Sequence, residues 1–125
     1  MVALVALVAS VLLAAPLPTV PPAAHLSTGG VSSPLAVSSW CFGKRCGAPL
    51  AASTRTLVVA RGTVVRCILA FAPTSASLTV GGHVVKTALT AHTVSWRATS
   101  TGGIALRVMG AGGWVVYVGE IALRK

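Results

Sequence analysis

Residues 77–86 read SLTVGGHVVK, and this stretch decides the fold. Polar and apolar residues alternate on either side of Gly81-Gly82, the two-residue spacing of a β-hairpin whose tight turn needs positive φ angles. That register predicts Leu78, Val80, His83 and Val85 on one face and Ser77, Thr79, Val84 and Lys86 on the other.

The same period extends outward in both directions. Val65, Cys67, Leu69 and Phe71 alternate against Val64, Arg66, Ile68 and Ala70, and Val94, Trp96 and Ala98 against Thr93, Ser95, Arg97 and Thr99. A second hairpin is expected to join 104–109 to 114–123 across Gly110-Ala111-Gly112-Gly113. Short runs over 55–61, 63–71, 76–80, 83–89, 92–99, 103–109 and 114–123, separated by turn residues, predict an all-β, small, two-sheet antiparallel sandwich over 55–125. Its architecture is immunoglobulin-like or jelly-roll-like with about seven strands, Trp96 in the core and Trp114 and Tyr117 in the core or at its rim. No Cys…Trp…Cys framework in the right order accompanies it.

Upstream the composition changes. Residues 2–15 (VALVALVASVLLAA) are small and apolar, and Pro16, Pro18, Pro21 and Pro22 follow. Fourteen residues rise roughly 21 Å as a helix, short of a bilayer's hydrocarbon core. The segment 1–24 therefore reads as a signal peptide, with a retained apolar anchor as the alternative, although no Lys or Arg precedes it. Residues 25–54 read as a Pro/Ser/Gly-rich linker with a short strand near 35–37 and a Cys41–Cys46 loop.

Among the three cysteines, Cys41 and Cys46 bracket CFGKRC and are the simplest disulfide pair in an oxidising compartment. Cys67 is left as a small buried hydrophobe, with a Cys46–Cys67 bridge as the alternative. The cysteines and His25, His83 and His92 lack zinc-ligand spacing, and Cys67, His83, His92 and Met109 lack a compact copper loop, so no metal and no cofactor is expected.

Charge excludes more than it assigns. The 125-residue chain carries ten Lys and Arg against one acid, Glu120, and has no Asp, Asn or Gln. A carboxylate pair or a Ser-His-Asp triad is impossible within it, and a Cys-His pair built on an apolar-face Cys67 would be deactivated, so no enzyme is expected. Out-of-frame translation of a GC-rich gene would deplete the same residues, but the sustained alternation argues against it. With 54% hydrophobic residues the chain can bury a core, and its cations must face water or an external anion.

Arg66, Lys86, Arg97 and Arg107, interleaved with Ser and Thr, form the expected anion-binding face if their strands share a sheet. Trp40, Phe42, Lys44 and Arg45 form a second cluster at the disulfide loop tip, either exposed to a lipid interface or, for the aromatics, capping the core. The expected partner is an anionic polymer or surface: a cell-wall polymer, lipid headgroups or a nucleic-acid backbone. Self-assembly is open, and no small-molecule substrate is evident. The reading is thus a non-enzymatic binding or structural module, secreted or at the cell surface. Its alternatives are a virion capsid or decoration protein and a membrane-anchored accessory subunit.

Overall fold

A computed structural model describes residues 23–47, 55–110 and 112–124. The signal-peptide or anchor segment lies outside them except for its last two residues. The described residues form twelve strands: β1 (His25–Thr28), β2 (Val31–Pro34), β3 (Ala36–Phe42), β4 (Arg45–Gly47), β5 (Thr56–Ala60), β6 (Val64–Ile68), β7 (Pro73–Val80), β8 (His83–Val85), β9 (Ala88–Thr90), β10 (Thr93–Arg97), β11 (Gly102–Gly110) and β12 (Gly113–Arg124). One sheet has the order β2-β1-β6-β10-β9; the other runs β4-β3-β12-β11-β7-β8, with β5 against β12. All pairings are antiparallel except β5 with β12.

The Gly81-Gly82 hairpin forms in the expected register, Val80 opposite His83 and Leu78 opposite Val85, with both glycines at positive φ (58° and 82°). The β11–β12 hairpin forms too, with Gly110 opposite Gly113. Alternation then builds one core between the sheets. Leu26, Val65, Cys67, Val94 and Trp96 face it from the five-stranded sheet, and Leu78, Val80, Leu106, Val108, Val115, Tyr117 and Ile121 from the other. Burying such side chains stabilises by about 1.5–3 kcal/mol each relative to exposure, which is what holds two sheets of this size together.

Two boundaries differ from the sequence reading. The described part of the expected linker, 25–47, is four strands rather than a spacer. β1 and β2 turn at Gly29-Gly30, both at positive φ, and β1 pairs with β6. Their inward hydroxyls replace apolar groups: Thr28 donates to the Val64 carbonyl at 3.2 Å and Ser33 to the Arg55 carbonyl at 2.9 Å. The buried Ala24 accepts from the Leu35 amide at 3.0 Å and so belongs to the same unit. The other difference is the expected strand 83–89, which splits at Lys86-Thr87 as the chain leaves β8 in one sheet and enters β9 in the other.

Candidate functional site

The outer face of the five-stranded sheet carries a polar row over four of its strands, ended by Ala88 on β9. Ladder partners run Ser32, Ser27, Arg66, Ser95 and Ala88 across β2, β1, β6, β10 and β9. Side chains of directly opposed residues stand about 4.5–5.5 Å apart at Cβ, so the exposed Arg66 is flanked by the hydroxyls of Ser27 and Ser95. Arg97, two residues beyond Ser95 on the same face and opposite Val64, lies diagonal to Arg66. Its Nη1 donates to the Gly62 carbonyl at 3.1 Å, fixing the guanidinium while leaving most of its five N–H donors for another acceptor. Arg61 is tied similarly, donating to the Thr99 carbonyl at 2.9 Å. The chain's one acid, Glu120, sits on β12 in the other sheet, opposite Gly103.

Lys86 joins this region through the crossover. The β9 ladder ends where Ala88 meets Ser95, so the chain between β8 and β9 arches away from the last residues of β10. The space it leaves is a cavity of about 550 Å³, with Lys86, Thr87, Ser95, Trp96 and Arg97 among its lining residues. Trp96 is a core residue, 4% exposed, whereas Lys86 and Arg97 are exposed.

The four cations do not share one face. Arg66 and Arg97 are together and Lys86 is beside them, but Arg107 belongs to β11 and lies on the opposite outer face, 5.0 Å from the centroid of the Trp114 ring. The split follows from the strand order, since β11 pairs with β7 and β12 in the sheet that holds neither β6 nor β10. Around Arg107 the surface is mixed: Ser77 is its ladder partner on β7, with Ser75 and Thr79 beside it, while Met109 and Val84 are exposed and Val116 and Val118 half-buried.

At the loop tip the aromatic side chains go inward. Trp40 and Phe42 are buried, and Phe42 meets Phe71 edge-on with ring centroids 6.0 Å apart. Alternation demands this arrangement, because Cys41 between them takes the outer side to reach its ladder partner Cys46, to which it is disulfide-bonded. Lys44 and Arg45 remain exposed at the tip, between the exposed Gly43 and Cys46. A lipid-dipping Trp-Phe tip is therefore replaced by a core cap with two cations above it.

Cys67 is free and fully buried, and burial pushes its thiol up from 9.0 to about 12. Burial first, and then the charge of Cys67, raises the Tyr117 hydroxyl in the same direction. His25, His83 and His92 are all exposed. Among the described residues no three His, Cys, Asp or Glu side chains are grouped so as to hold a metal ion.

The polar row and the cavity beside it were not legible as a unit, because only the sheet order brings Lys86 and Arg97 together. The available signal was Thr87, a hydroxyl in the inward slot of an alternation that should there be apolar. No protein-family model, curated protein or solved structure matches this chain.

Proposed function

We propose that this protein is an exported, non-enzymatic β-sandwich that holds an anionic polymer or surface against the outer face of its five-stranded sheet. One observation carries the reading: Arg66 and Arg97 stand diagonally on a face lined by Ser27, Ser32 and Ser95, in a chain whose one acid lies on the other sheet. Hydroxyls and guanidinium groups are donors suited to phosphate, sulfate or carboxylate oxygens. Such contacts position a backbone without reading sequence. The Cys41–Cys46 bridge accords with an oxidising compartment.

Binding of this kind weakens steeply with salt, since bound counter-ions are released. Elution from immobilised heparin across a salt series tests it, and retention indifferent to salt rejects it. If a leader is removed, the cut is expected near Ala15 rather than after Ala24, because Ala24 is a core residue and its carbonyl accepts from Leu35.

A second reading, a virion structural protein, draws on the other outer face, where exposed Met109 and Val84 accompany half-buried Trp114, Val116 and Val118. Closed particles on size-exclusion chromatography support it; a monomer at high concentration counts against it.

A further inference from the structure

We propose that the cavity under the β8–β9 crossover binds a small organic anion with an apolar body, an amphiphile carrying a carboxylate or a phosphate head. This goes beyond polymer binding, although Lys86 and Arg97 serve both. At about 550 Å³ the cavity has the volume of a small-molecule site. Its lining is mainly apolar, with Trp96 and Val85 among it, and that part suits a hydrocarbon or ring. Lys86 and Arg97 add two positive charges, and Thr87 and Ser95 add hydroxyls. No Asp or Glu lines it.

Three features favour an anion over a neutral apolar guest. Lys86 and Arg97 bring two positive charges and no acid to one cavity, a local potential that draws an anion and not a neutral guest. Arg97 is already held by Gly62, so little side-chain freedom is lost when its remaining donors engage a ligand. The β9 ladder stops at Ser95, and the cavity therefore opens beside Trp96 and Arg97 rather than under a paired strand. A polymer chain needs none of the apolar lining, whereas an amphiphile uses both halves of the site.

Octanoate and octyl phosphate, below their micellar concentrations, are the probes, with octanol and inorganic phosphate as half-ligands. Tryptophan fluorescence and the indole N–H resonance of Trp96 report binding to the full chain. At least one amphiphile is expected to saturate the site at least tenfold more tightly than octanol or inorganic phosphate, and the tighter of the two identifies the head. Lys86→Gln should weaken it by about tenfold, the loss of one charge-assisted hydrogen bond. Ala88→Trp, which places a ring at the exposed mouth, should abolish binding. Should that variant not fold, Lys86→Glu at the exposed crossover is expected to abolish octanoate binding in its place.

Equal binding of octanol and octanoate overturns the proposal, as does the absence of saturation or full binding by Ala88→Trp. Saturable octanoate binding without salt-dependent heparin retention would instead reject the polymer reading and leave this site standing.

Discussion

The indole of Trp40 occupies the space over Gly47, its partner across the β3–β4 ladder: a Cβ at Gly47 would meet the Trp40 ring itself. Glycine is required here for room, since the ring is packed and buried. Gly47→Ala must push Trp40 away or bend β4, and overpacking of this kind costs about 1–3 kcal/mol. The Trp40 Nε1 is buried without an acceptor among the described residues, so Trp40→Phe removes an unsatisfied donor along with part of the ring and offsets its own cavity. Chemical denaturation is expected to show Gly47→Ala as the more damaging of the two, despite being the smaller change.

Reduction of Cys41–Cys46 should be a local event. The bridge closes a loop with a sequence separation of only 5. A loop that short contributes about 2 kcal/mol on the chain-entropy account, and it ties β4, an edge strand, to β3. The Cys41→Ser/Cys46→Ser variant is expected to lose roughly that stability and the protection of β4 amides from hydrogen exchange. Its heparin retention should be unchanged, because Arg66 and Arg97 lie on the other sheet.

Cys67 makes stability fall at high pH. Its thiol is raised from 9.0 to about 12 in the folded protein, so the folded state keeps a proton that the unfolded chain releases. Where the unfolded state binds fewer protons, stability declines as pH rises. The contribution is therefore complete below about 9, diminishes through the window from 9 to about 12, and is joined by Tyr117, shifted in the same direction. A pH series of denaturation midpoints should show this decline, and a shallower one in Cys67→Ala. A disulfide reagent at pH 8 should modify Cys67 only after unfolding; rapid modification of the folded protein would contradict its burial.

The Gly81-Gly82 hairpin is legible in the local sequence and the Gly29-Gly30 hairpin is not, for a physical reason. Both Gly29-Gly30 and Gly81-Gly82 adopt positive φ and reverse a two-residue hairpin. Around Gly81 the inward slots are Leu78 and Val80, and the alternation declares itself. Around Gly29 the buried slots include Thr28 and Ser33, whose hydroxyls are acceptable in the interior only because each finds a carbonyl on another strand. Those bonds cross 36 and 22 positions of chain, and no local window contains them. The pairing of Cys41 with Cys46 and the inward placement of Cys67 and Trp96 needed only local alternation, and both were legible. The separation of Arg107 from Arg66 and Arg97 is a property of strand order, which alternation does not encode.

The most direct test of an anion-binding five-stranded face compares salt-dependent heparin retention of the native chain with Arg66→Ser/Arg97→Ser and with Arg107→Ser. The double variant removes two contacts and should lower the slope of log affinity against log salt by about two units, while Arg107→Ser, on the opposite face, should leave it close to native. Equal losses from Arg107→Ser and the double variant, or retention that does not respond to salt, would contradict the account.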